Sequence, residues 1–562
     1  MAELRFEYDK KTILDLCDAR IARGDFLGAL NALKRIDGED KRLLFKKGDL
    51  YYKLTDYAAA AECFAKYLNL AAEKEKPRAY NALGAAFLML NEKTGATYYF
   101  NKQIESGEKI PYDYGDEMYD FFNSAIDYDS DYYVAYPYDR ADFRKLLIEC
   151  DDLFQQERYE EVLEKIEIIP KENVKYYPVA LEQRALCEFM LNEDAAAIRH
   201  IRAALKLAPT DVTVVCNAAS MLNRLNKRKE AEAALSNVNV NELSGDELFK
   251  IISVNCDLKN DGTAASLVKK YLKTEPYDLN ALMIAGISNY NLKNYAAAYE
   301  YFKTIFQITE SYVSGYYLKM CEAATRGKPL VKEIEFSFDI PPDEKERIIS
   351  RLKFYAKTEF PKPSKDAMDE LFLLTKYAFE SNDYSAQSRA FAALASQDSD
   401  YARDILASKL LSINVYREIK TGILSFLSFG DYAGEVPAFF GFMFRKVNFL
   451  KTDFKGENAP VFRNAFSFCF SQIAPFREDV SDVLASAEAL LEEARNTVLD
   501  FNDSKALAAV IFENSQKRKG KSLRDLARFF MTTPKDMKRI KEAIKSSAAQ
   551  NRDAVDTPEN EV

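Results

Sequence analysis

Four alanines, Ala197, Ala231, Ala264 and Ala298, stand 34, 33 and 34 residues apart, and each is followed four positions later by a larger apolar residue: Ile201, Leu235, Val268 and Phe302. A fixed period of this length makes each repeat one supersecondary unit that must pack on copies of itself. A spacing of four is one helical turn, so each pair shares a helix face. Nearer the N-terminus the same pair recurs as Ala29/Leu33, Ala60/Phe64 and Ala96/Phe100, with Val162/Ile166 as a variant. Leu33, Phe64 and Phe100 follow at 31 and 36, and the 66 residues from Phe100 to Ile166 leave room for one degenerate unit between them. Pro209 and Pro276 stand just past the second helix of their units, where proline stops a helix.

Residues 80–100 read Tyr80-x2-Leu83-Gly84-x2-Phe87 and then Ala96-x3-Phe100, and the preceding unit reads Leu44-x2-Lys47-Gly48-x2-Tyr51 and Ala60-x3-Phe64. A later unit reads Leu282-x2-Ala285-Gly286-x2-Asn289 and Ala298-x3-Phe302. This resembles the tetratricopeptide repeat, over about residues 10–325. The resemblance implies a right-handed superhelix of antiparallel helix pairs, with first-helix residues lining a concave groove. Gly48, Gly84 and Gly286 would let the paired helices approach, and Cys17 and Cys150 take the same small-residue place. Projecting the family's groove onto this chain selects Phe45, Asp49, Tyr52, Asn81, Glu182, Phe189, Asn217, Asn223, Phe249, Met283 and Tyr290, with Ser220 and Ile287 among the residues between them. Aromatic anchors mixed with amides suit a protein or peptide partner. The Lys/Asn/Arg clamp that some members use for a chaperone tail is not assembled here.

Composition narrows the chemistry. The 562 residues exceed what one core usually serves, and 48% hydrophobic content supports a folded chain. Only 19 Gly and 17 Pro argue for helices over turn-dense sheets. One histidine, His200, excludes H-E-x-x-H zinc sites, and the eight cysteines contain no CxxC pair. No G-x-x-x-x-G-K-[ST] or G-x-G-x-x-G loop offers a phosphate cradle. We therefore expect no catalytic set, no metal and no cofactor. The N-terminus has no apolar signal region and no run is long enough for a bilayer, so the expectation is a cytoplasmic chain without membrane contact.

The expected fold is all-α: a superhelical α-solenoid, then divergent helical repeats, then a small C-terminal helical module. Its expected parts are repeats over 1–110, an acidic tyrosine-rich degenerate repeat or insert over 111–141, repeats over 142–327, a linker over 328–343, divergent helical repeats over 344–475, a helical module over 476–546 and a disordered acidic tail over 547–562. Phe439, Phe440, Phe442 and Phe444 read as core.

Charge shifts near the C-terminus. Residues 517–545 hold eleven basic and three acidic residues, +8, so the remainder carries −18 of the formal −10 total. Ser522-x2-Asp525 reads as a helix start and Thr533-Pro534 as another, joined at Met531-Thr532. The stretch resembles the end of a cyclin-box repeat and an ordinary regulator helix-turn-helix, with Met531 where the turn normally holds a left-handed Gly. That resemblance implies double-stranded DNA as an alternative partner, with Thr533, Lys535, Lys538 and Arg539 toward the major groove and Lys517, Arg518, Lys519 and Lys521 on phosphate. The leading reading is a scaffold that binds protein or peptide in its groove; the alternative is a regulator whose repeat array controls this module.

Overall fold

The computed structural model describes residues 10–36, 40–106, 143–171, 173, 175–357, 365–397, 399–477, 479–515 and 522–555. The acidic tyrosine-rich stretch lies outside them. Within them are 27 α-helices, two short 3-10 turns and one two-stranded sheet.

Eight antiparallel helix pairs come first. They are α1 (Lys10–Ala22) with α2 (Phe26–Leu33), α3 (Lys41–Lys53) with α4 (Tyr57–Leu70), α5 (Lys76–Met89) with α6 (Lys93–Glu105), and α7 (Phe143–Gln155) with α8 (Tyr159–Ile166). Then follow α9 (Tyr177–Met190) with α10 (Asp194–Leu207), α11 (Val212–Arg224) with α12 (Arg228–Leu235), α13 (Gly245–Asp257) with α14 (Asp261–Tyr271), and α15 (Leu279–Asn291) with α16 (Tyr295–Thr309). A single helix, α17 (Tyr312–Thr325), follows. No strand occurs among the described residues of 10–325, and the chain is a tetratricopeptide-like helical solenoid.

The glycines act as the spacing implies. A Cβ placed on Gly84 would sit 2.9 Å from the Phe100 ring, and one on Gly286 2.7 Å from the Phe302 ring. Between the two helices of every pair the chain reverses through one left-handed residue: Gly24, Thr55, Asn91, Glu157, Asn192, Asn226, Lys259 and Lys293, at φ from +53° to +74°. For a side chain other than Gly or Asn that conformation costs about 1–2 kcal/mol, recovered by packing on both sides.

The array also closes on itself. Helix α2 packs against α16. The Lys34 ammonium donates to the Gln307 carbonyl at 3.1 Å and pairs with Glu310 at 2.6 Å. Thr55 bridges the same junction: its hydroxyl donates to the Tyr277 carbonyl at 3.0 Å and accepts from the Leu279 N–H at 3.1 Å.

After α17 the chain runs without helix or strand to Pro341, and a second core begins. It contains α18 (Pro342–Lys357), α19 (Lys365–Glu380), α20 (Tyr384–Ala395), α21 (Asp400–Lys409) and α22 (Arg417–Phe429). A hairpin of β1 (Gly434–Phe440) and β2 (Met443–Phe449) follows, then α23 (Ala459–Ile473), α24 (Ser481–Glu493), α25 (Ser504–Ser515), α26 (Leu523–Phe529) and α27 (Pro534–Val555). The hairpin pairs Val436 with Val447 and Phe439 with Phe444, and Gly441 at φ +63° opens its two-residue turn.

Two expectations are corrected here. Residues 434–449 are not part of a helical repeat: they form a hairpin wedged between the two halves, with Val436, Ala438, Phe439, Phe440, Val447 and Phe449 buried. Phe439 is fully buried, Phe442 packs over Gly95, and the Tyr99 hydroxyl donates to the Phe442 carbonyl at 2.8 Å while accepting from the Phe444 N–H at 3.2 Å. The tail does not begin at 547, since α27 continues to Val555 and the Ser547 hydroxyl accepts from the Asn496 N–H at 2.9 Å.

Candidate partner-binding groove

First helices α9, α11 and α13 bring five of the projected groove residues to one row. The Asn217 amide on α11 donates to Glu182 on α9 at 2.7 Å. One unit further on, the Ser220 hydroxyl donates to the Asp257 carboxylate at 3.1 Å and the Asn223 amide to the Asp257 carbonyl at 3.1 Å. Amides and carboxylates thus link neighbouring units along the row. Phe189 and Phe249 are half-buried, and the Phe249 ring lies 5.3 Å from Tyr271. Glu182 is buried, and burial pushes its carboxyl up to about 8, against the opposing effect of the Asn217 hydrogen bond. It is a polar support under the row and not a free carboxylate on it.

On α3 and α5 the projected residues divide. Asp49 is exposed, with burial of its surroundings raising its carboxyl, and Tyr52 is half-buried against Tyr57 at 5.3 Å. Asn81 donates to Gln103 at 3.0 Å. Phe45 is buried, because the Arg78 guanidinium lies 3.7 Å from its ring centroid and Phe64 and Tyr67 close the other sides.

On α15 the projection fails for a physical reason. Met283, Ile287 and Tyr290 are all buried, and Tyr290 has no exposed surface at all. Together with the first units and α17, the chain's own segment after α17 closes over this row. The Tyr290 hydroxyl donates to the Val331 carbonyl at 2.9 Å. Asn291 reads the backbone of Ile334 in both directions, donating to its carbonyl at 3.0 Å and accepting from its N–H at 2.7 Å. On α17, the Tyr317 hydroxyl donates to the Asp339 carbonyl at 2.6 Å. Asn291 and Tyr317 were missed in the sequence. Asn291 directly follows Tyr290, and the first-helix projection extended by one residue would have included it.

The C-terminal module contains the short helix α26, the left-handed Met531 at φ +52° and a second helix from Pro534, as its sequence suggests, but that second helix runs for 22 residues. Thr533 is occupied as a cap, its hydroxyl accepting from the Asp536 N–H at 3.1 Å. Lys535 and Lys538 are exposed. Arg539 is turned back onto the chain, where it forms two hydrogen bonds with the nearly buried carboxylate of Asp503, so its placement toward a DNA groove is corrected. Lys517, Arg518, Lys519 and Lys521 lie outside the described residues.

His200 pairs with Glu188 at 2.7 Å. All eight cysteines are free thiols, seven of them buried, and burial raises thiols such as Cys187 to about 12. Among the described residues no group of His, Cys, Asp and Glu could hold a metal ion, and no helix is long and apolar enough to cross a membrane.

No family model matches the chain, and no curated protein matches it in sequence. Twenty solved chains resemble it in structure. One belongs to the structure of Naa15/Naa10 bound to HypK-THB, with 14% identity over 96% of this chain and 85% of that one and a TM-score of 0.19. At that score the two chains do not superpose as wholes.

Proposed function

We propose that this protein is a non-enzymatic scaffold that holds a peptide segment of a protein partner along the first-helix row of α9, α11 and α13. The observation that carries this reading is the neighbouring row on α15 and α17, which already holds an irregular segment of the chain. Tyr290, Asn291 and Tyr317 grip that segment through backbone atoms of Val331, Ile334 and Asp339, a mode that tolerates many side chains. Over α9–α13 the row keeps Phe189, Asn217, Asn223 and Phe249 partly exposed, with two aromatic anchors flanking amides. Rigid aromatic anchors commonly dominate such interfaces.

The test is selection of peptides about twelve residues long, displayed as a random library, on the full chain. Enriched peptides should lose roughly 30-fold in affinity on Phe189→Ala or Phe249→Ala, the equivalent of about 2 kcal/mol at a hot spot. Unchanged affinity in both variants, with helicity retained, removes the row from the function.

A further inference from the structure

Four parts of the chain that are distant in sequence meet around a cavity of about 480 Å³: helix α4, the turn between α16 and α17, the ends of α19 and α21 with the stretch after α21, and strand β1. That volume lies within the usual span of small-molecule sites. The polar lining carries both signs of charge, with Asp56 capping α4, Glu62 and Lys66 from α4, Glu380 from α19 and Lys409 from α21. Apolar wall comes from Phe379, Leu411 and Val436. Glu380 is partly committed, one oxygen accepting the Tyr312 N–H at 3.0 Å and the other lying 4.0 Å from the Lys376 ammonium.

The side chains of Glu62 and Lys409 stand apart from the rest of the lining. Lys409 feels the charge of Glu62, and its ammonium lies 5.8 Å from the centroid of the Phe379 ring, while neither charged group is held by a hydrogen bond or an ion pair to a described residue. Burial holds the Lys409 ammonium below its ordinary range, with Glu62 and Glu380 opposing that shift. Behind the wall, Lys420 donates to the Phe439 carbonyl at 2.6 Å and also feels Glu62. A charge withdrawn from water without a hydrogen-bonding partner is unfavourable. Lys409 is such a charge, and with the partly exposed Glu62 on the same cavity the lining is complementary to a molecule that carries both signs.

We propose that this cavity binds a small zwitterion of the α-amino-acid class, its carboxylate on Lys409, its ammonium between Glu62 and Glu380, and its side chain against Phe379, Leu411 and Val436. The site exists only while the N-terminal pairs are docked on the C-terminal block, so the ligand stabilises that closure by mass action. This is independent of the peptide row, which lies on other helices.

The test is thermal unfolding of the full chain with each of the twenty amino acids at about 5 mM, with inorganic phosphate and putrescine as probes that carry one sign only. At least one apolar amino acid should raise the midpoint by about 2 °C or more. Its methyl ester and its N-acetyl form should not, nor should either one-sign probe. Lys409→Met and Glu62→Gln should each abolish the shift. If those variants fail to fold, Ser412→Phe, which fills the cavity from its rim and leaves the charges in place, should abolish it instead. No shift from any amino acid, a shift that survives in the folded variants, or an equal shift from phosphate or putrescine alone overturns the proposal.

Discussion

The solenoid and the C-terminal block both bury large aromatic side chains, but they hold them by opposite means. In the solenoid each pair contains the same local exchange of volume between two positions sixteen residues apart. Gly48, Gly84 and Gly286 face Phe64, Phe100 and Phe302; at the same spacing Cys17 and Cys150 share a buried cluster with Leu33 and Ile166, Ala185 and Ala219 with Ile201 and Leu235, and Ile252 with Val268. The largest side chain, Phe, occurs only where the first position has no side chain, and where the first is Cys, Ala or Ile the second is Leu, Ile or Val, so each pair fills the space between its two helices. The C-terminal block has no such rule. Asn458, just before α23, donates to the carbonyls of Ala494 and Thr497 and accepts from the Leu499 N–H, the Ser486 hydroxyl donates to the Ile511 carbonyl on α25, and Lys420 reaches Phe439 in the hairpin. A core built from repeated local exchanges can lose one unit; a core built from single non-local contacts fails as a whole.

The largest effect should come from breaking that difference directly. Phe462 and Phe302 are both fully buried, and truncating either to Ala should cost about 3–5 kcal/mol. The consequences should diverge in hydrogen exchange. Phe302→Ala should raise exchange in α15, α16 and α17 and their immediate neighbours, whereas Phe462→Ala should raise it across 342–555. Equal spread of the two effects would mean that the solenoid is as cooperative as the block.

A smaller effect tests the volume exchange itself. Gly84→Leu should overpack the contact with Phe100 and destabilise by about 1–3 kcal/mol in urea unfolding. Adding Phe100→Ala should recover most of that loss, because the pair then keeps about the total volume of the original Gly84 and Phe100. If the double variant is no more stable than Gly84→Leu alone, the two positions do not exchange volume.

The same contrast explains what could be read from the sequence. The period was legible because Ala, Gly and Phe recur at local spacings that survive in any sequence. The left-handed turn in each pair was only half legible: Asn91, Asn192 and Asn226 are natural there, while Thr55, Glu157, Lys259 and Lys293 adopt it under packing. Ring closure through Lys34 and Thr55 was hidden, since its partners lie more than 220 residues away. That closure, with the segment 331–340, is why Tyr290 and Met283 became core while Phe189 and Asn223 did not. A projected helix face says which way a residue points, not what covers it. The hairpin was missed because β1 is buried at three successive positions, Ala438 to Phe440, and alternation shows only at the end of β2, where exposed Asn448 separates buried Val447 and Phe449.

The finest comparison uses one buried charge from each half. Glu182 in the solenoid titrates at about 8 when folded against 4.5 when free, and Lys420 in the block at about 7 against 10.5, burial being the leading cause of both shifts. Between pH 4.5 and 8 the unfolded chain has released the Glu182 proton while the folded chain keeps it, so this residue's contribution is fully present below 4.5 and declines as pH rises to 8. Between pH 7 and 10.5 the unfolded chain holds the Lys420 proton that the folded chain has lost, so stability rises with pH across that window. Each slope is at most about 1.4 kcal/mol per pH unit. Urea unfolding from pH 5 to 10 should therefore show Glu182→Gln flattening only the lower window and Lys420→Met only the upper one. Should Glu182→Gln leave the slope below pH 8 unchanged, Glu182 is not held protonated beneath the groove and Asn217 faces a solvated carboxylate.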